Sequence, residues 1–146
     1  MIRAATTTDA VAISELIGSL AHRFCDAPDA IVPDWFRQSV RPPVIAARLD
    51  DRGFRNYVYV DDNRVVGYIA IRNDQHLYYL FVAEGYQGRG LARRLWEHAR
   101  SASGSDRFVV RSSSYAVPVY EKFGFVINGP VSVKDGIAFQ PMEFRS

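Results

Sequence analysis

One stretch of this chain restricts its fold more than any other. His76-Leu77-Tyr78-Tyr79-Leu80-Phe81-Val82 is apolar almost throughout, as a central strand buried on both faces is. It runs into three closely spaced glycines, Gly85, Gly88 and Gly90, and these open onto a helical pattern. Leu91, Leu95 and Ala99 line one side of that helix, with Ala92 and Trp96 beside them, while Arg93, Arg94, Glu97 and Arg100 fall on or near the polar side. Ser103-Gly104-Ser105 ends the helix, and Arg107 to Arg111 reads as the next strand. A strand–helix–strand unit of this length is a crossover between parallel strands.

The flanking segments supply the rest of a sheet. Ile2 to Ala5 reads as a short strand, followed by an amphipathic helix over residues 8–22, with Thr7 or Thr8 as its cap. Prolines 28, 33, 42 and 43 break up the next segment, leaving short helices opened by Asp34 and spanning Val44 to Leu49. Phe54 to Val60, a turn at Asp61-Asp62-Asn63, and Val65 to Ile71 form a hairpin, and Asn73-Asp74 turns the chain into His76–Val82. Tyr115 to Phe123 is a short helix stopped by Gly124. Phe125 to Val133, a turn at Lys134-Asp135-Gly136, and Ile137 to Phe144 make a closing hairpin. The expectation is an α/β domain spanning residues 1–146. Its mixed, mostly antiparallel sheet has about seven strands, flanked by about four helices.

Composition narrows the function. At 146 residues and 48% hydrophobic, the chain suits one core. A net charge of +2 gives no broad basic field for nucleic acid. The single cysteine, Cys25, excludes a multi-thiolate zinc site, and no metal-ligand spacing is present. Neither a signal-peptide pattern nor an apolar run of about 20 residues is present, so a cytoplasmic protein off the membrane is expected.

The glycine turn carries the chemistry. Unpaired N–H groups at a helix N-terminus bind anions, and glycines let the backbone approach a phosphate closely; Arg89 adds a cation. The third glycine of a dinucleotide fingerprint is missing, and so is the Lys-Ser/Thr of a nucleotide P-loop. Gln87-Gly88-Arg89-Gly90-Leu91-Ala92 resembles the Gln/Arg-x-x-Gly-x-Gly/Ala signature of the GNAT superfamily of N-acetyltransferases. Ala116-Val117-Pro118-Val119-Tyr120-Glu121-Lys122-Phe123-Gly124-Phe125 resembles its second motif, Ala-x-x-x-Tyr-x-x-x-Gly-Phe, in the expected order.

The resemblance implies acetyl-CoA as co-substrate, held between two splayed parallel strands, here His76–Val82 and Arg107–Arg111. Its pyrophosphate would rest on the backbone of Gln87, Gly88, Arg89, Gly90, Leu91 and Ala92. Its pantetheine arm would pair with Leu80, Phe81 and Val82, and an N–H near Phe81 or Val82 would stabilise the oxyanion. An amine would attack directly, with Tyr120 as general acid. The strand carboxylate that many members use as base is absent. His76 is the candidate in its place, with Tyr78, Glu84 or a water relay as alternatives. Ser113 stands where many members have Asn, either on the pantetheine or as a helix cap. The acceptor is a small-molecule or protein amine, for which Asp26, Asp29 and Asp34 with Trp35 and Phe36 offer carboxylates and rings. The 125–144 hairpin offers an edge for a homodimer. A non-catalytic acetyl-CoA sensor of the same fold is the alternative function.

Overall fold

A computed structural model describes residues 1–21, 32–134 and 137–146. His22, Cys25, Asp26, Asp29 and the Asp135-Gly136 turn lie outside the described residues. In chain order the elements are β1 (Ile2–Ala4), α1 (Ala10–Leu20), α2 (Asp34–Ser39), α3 (Pro42–Leu49), β2 (Phe54–Asp61), β3 (Arg64–Arg72) and β4 (His76–Val82). They continue with α4 (Leu91–Ser103), β5 (Arg107–Ser112), α5 (Val117–Phe123), β6 (Val126–Ile127), β7 (Ser132–Lys134) and β8 (Ile137–Arg145). The strands run β1-β2-β3-β4-β5-β8-β6, with β7 also on β8. Among the described residues only β4 and β5 pair in parallel, as a crossover through α4 requires.

Local chemistry explains most of these boundaries. Asp62-Asn63 and Asn73-Asp74 all have positive φ, the left-handed pair that a tight hairpin turn demands. Before α1, Asp9 accepts from the Thr6 N–H at 2.8 Å and takes both Arg3 Nη atoms at 2.8 and 2.9 Å. The chain therefore turns in from Thr6, ahead of the expected Thr7 or Thr8. Pro42 and Pro43 occupy the first turn of α3, where their missing N–H groups cost nothing. Gly124 ends α5 at φ 104°.

One expectation needs correction. The strand expected over Phe125–Val133 is two short pieces, β6 and β7, each paired with β8. Asn128-Gly129-Pro130 interrupts it, since proline cannot donate to a ladder. With that interruption the described residues form eight strands and five α-helices, in keeping with the expected mixed sheet flanked by helices. Val126, Ile127, Val131 and Val133 stand exposed along this broken edge.

The sheet divides two cores. On one face α4 and α5 cover Ile69, Ile71, Leu77 and Val82. On the other, α1 and α3 cover Val58, Tyr68 and Ala70. Trp96 anchors the first core, its ring centroid 4.9 Å from Phe108, 5.1 Å from Phe125 and 5.4 Å from Phe144. Among the described residues no helix is long and apolar enough to cross a membrane. Because Trp96 is fully buried, Trp96→Ala should lower unfolding free energy by about 3–5 kcal/mol in a urea titration followed by circular dichroism.

Candidate functional site

The site begins with a fault in β4. Ala70 of β3 faces Tyr79 and Ile71 faces Leu77, so Tyr78 is an extra residue without a partner, a β-bulge. Alternation breaks there. Leu77 and Leu80 pack with the α4 face, while Tyr78, Tyr79 and Phe81 all pack with the α1–α3 face. Pairing with β5 stops at the same level: only His76↔Val109 and Leu77↔Val110 are joined. Beyond Leu77 the two parallel strands diverge.

Parity shows what the gap receives. The Ala83 N–H donates to the Val66 carbonyl at 2.9 Å. Counting back through the antiparallel register, Phe81 and Tyr79 also direct their backbone groups to β3. Leu80 and Val82 therefore aim N–H and C=O into the gap. The Val82 carbonyl accepts there from Gln87 Nε2 at 3.0 Å. Phe81, expected as a backbone contact, instead offers its side chain on the opposite face.

Past β4 the chain forms the turn. Gly88 and Gly90 both have φ +80°, a region that any side chain would strain, and a Cβ on either would meet nothing within 4 Å. The space above the turn is thus open to a ligand. Gly90 caps α4 without a side chain. The first helical bond runs from Arg94 N–H to the Gly90 carbonyl, so the N–H groups of Leu91, Ala92 and Arg93 precede the ladder and point out of the helix end.

These parts line a cleft of about 450 Å³, walled by Leu80, Phe81, Val82, Gln87, Gly88, Gly90, Leu91, Ala92, Ser113 and Tyr120. Ten of the residues singled out from sequence thus converge on one concavity. Arg89 and His76 do not line it. The Arg89 guanidinium sits over the Tyr86 ring at 5.1 Å. His76 stands at the closed end of the V, across from Arg72. Sequence reasoning missed Arg93, Lys122 and Tyr115, which also line the cleft. Arg93 was placed on the solvated helix face, yet it donates to the Lys122 carbonyl at 2.8 Å and ties α4 to α5. Its first-turn position beside the glycines was the available signal. The Tyr115 hydroxyl reaches Gln87 Oε1 at 3.4 Å across the mouth.

Tyr120 is buried, and among the described residues its hydroxyl makes no hydrogen bond. Burial pushes its pKa up, which keeps it a phenol that can donate. It lines this cleft and also an adjoining second hollow of about 110 Å³. Ser113 lines both as well, and its Oγ accepts the Ala116 N–H at 3.3 Å, so the helix-capping role is present. Burial, reinforced by Arg111 and Arg72, lowers the His76 pKa below its ordinary 6.5. Asp34 is nearly fully exposed and faces Arg37 at 3.7 Å.

The fold that carries this site is shared with known proteins. The chain matches the acetyltransferase (GNAT) domain family over residues 25–146, and it belongs to that family. No curated protein matches it by sequence. Solved structures share its fold. PaiA N-acetyltransferase from Thermoplasma acidophilum, in complex with coenzyme A, superposes with a TM-score of 0.83 at 14% identity, covering 100% of this chain and 98% of that one. YncA from Salmonella typhimurium with its cofactor acetyl-CoA gives 0.74 at 21% identity, covering 99% and 92%. An aminoglycoside 6'-N-acetyltransferase complexed with coenzyme A gives 0.71 at 12%, covering 99% and 96%.

The His76 environment has a consequence for pH. Its folded pKa lies below its unfolded value, so the unfolded chain takes up this proton first as pH falls. Stability should therefore decline from about pH 6.5 downward, through the folded pKa. Imidazole resonances followed by NMR should show His76 titrating below 6.5, and His76→Gln should flatten that part of the stability curve.

Proposed function

We propose that this protein transfers the acetyl group of acetyl-CoA to a primary amine. The observation that carries the reading is one gap receiving three things: the Leu80 and Val82 backbone, the glycine turn with its helix end, and the Tyr120 hydroxyl. The residues present fit the co-substrate. A pyrophosphate needs N–H donors without overlying side chains, and Gly88 and Gly90 leave that space open. Arg93 and Lys122 supply positive charge at the same end, and the outward-facing Leu80 and Val82 amides can pair with an extended arm as an added strand.

In this reading an N–H of Leu80 or Val82 polarises the thioester carbonyl and stabilises the oxyanion. The amine nitrogen bonds to the carbonyl carbon, and the carbon–sulfur bond breaks. Tyr120 gives its proton to the departing thiolate. The attacking amine loses a proton through water toward His76, which its surroundings keep neutral near pH 7. The neighbours solved with coenzyme A or acetyl-CoA, and the aminoglycoside acetyltransferase among them, support this chemistry by analogy of fold.

Three variants test it. Tyr120→Phe should lower kcat by about a hundredfold or more while calorimetry shows unchanged acetyl-CoA affinity; equal loss of both would remove Tyr120 as the acid. Gly90→Asp, folded by circular dichroism, should lose acetyl-CoA binding, because it puts a strained residue and a carboxylate where phosphates belong. His76→Gln should lose the acidic limb of the rate profile; a profile overlaying that of the parent would assign the proton to solvent. Firm acetyl-CoA binding with no turnover of any amine would favour the sensor reading instead.

A further inference from the structure

The second hollow bears on which amine is acceptable, an inference that rests on the acetyl transfer proposed above. The bulge at Tyr78 puts Tyr78, Tyr79 and Phe81 on one face of β4, and Phe36 from α2 and Phe139 from β8 close around them. The hollow measures about 110 Å³ and meets the larger cleft at Phe81, Ser113 and Tyr120. An apolar cavity of about 150 Å³ admits benzene, so this smaller, open hollow suits an apolar group up to about one ring in size.

Among the described residues its charge is of one sign. Arg111 lines it, exposed, with no carboxylate partner among the described residues. Arg48 lies beneath, 5.4 Å from the Tyr78 ring and 5.5 Å from the Tyr79 ring, and donates to the Tyr79 hydroxyl at 2.6 Å. Arg72 and Arg111 are close enough to His76 to act on its charge. Among the described residues, no Asp or Glu lines it. A polycation would meet repulsion here, and an anion would find a guanidinium with open donors.

We propose that the acceptor is an amine bearing its own carboxylate and an apolar side chain: an apolar or aromatic α-amino acid. Its side chain enters the aromatic hollow, Arg111 takes the carboxylate, and the amine lies at the Tyr120 end where the hollows meet.

The test is thiol release from acetyl-CoA by the full chain with phenylalanine, leucine, their carboxamides and spermidine. Acetyl-CoA binding is measured separately by calorimetry. Phenylalanine or leucine should be acetylated with kcat/KM at least about tenfold above its carboxamide and above spermidine. Arg111→Gln should bring acid and amide within about twofold of each other, without changing acetyl-CoA affinity. Preference for spermidine or the carboxamides, an acid-to-amide ratio untouched by Arg111→Gln, or acetyl-CoA binding without acetylation of either amino acid would each overturn the inference. Absence of acetyl-CoA binding would instead overturn the acetyl-transfer reading and this inference with it.

Discussion

The structure turns on a parallel pair of strands that stays joined for only two residues. A parallel ladder between β4 and β5 could run further on length alone, but it ends at Leu77↔Val110. The bulge at Tyr78 re-aims β4 at that level. Because the ladder stops, the amides of Leu80 and Val82 face a gap instead of a neighbouring strand. Unpaired backbone inside a fold is costly unless something satisfies it. The cleft, the glycine turn and the Tyr120 hydroxyl all take their relation to one another from this divergence.

Two cores hold the divergence open. On the α4 side, Trp96 with Phe108, Phe125 and Phe144 locks β5, β8 and the end of α5 together. On the α1 side, Tyr68 donates to Asn56 Oδ1 at 2.6 Å, and Arg48 bonds the Ser39 carbonyl and Tyr79 hydroxyl, tying α3 to β2, β3 and β4. The strands of the V are thus each fastened to a different layer. The sheet is continuous on both sides of the gap but does not close across it. Functional groups on one lip can then meet groups on the other at Tyr120 and Ser113.

Much of the cleft was legible because its signals are local. Glycines at positive φ, a strand running into a helix end, and Tyr120 six residues after Ser114 in a Gly124-terminated helix are visible over short spans. Arg93 and Lys122 escaped, since a first-turn arginine and a surface-helix lysine look solvated until α4 and α5 are brought side by side. His76 attracted attention for its titratable ring and its place at the start of β4. Its placement at the closed end of the V depends on where pairing with β5 stops, and no local pattern carries that. Arg89 likewise looked like a phosphate ligand from its spacing, whereas the φ +80° residues on either side turn it onto Tyr86.

The sequence by itself determined the element order, the parallel crossover and the glycine turn ahead of α4, because periodicity, glycine placement and capping act over a few residues. It also determined the family, through two motifs in order. Only the tertiary structure decided which backbone groups of β4 face the gap. That depends on one unpaired residue, Tyr78, which reverses the side of every residue after it. For the same reason only the structure revealed the aromatic hollow with Arg111 at its edge. Its members come from α2, β4, β5 and β8, which are distant along the chain and meet only when the sheet is assembled.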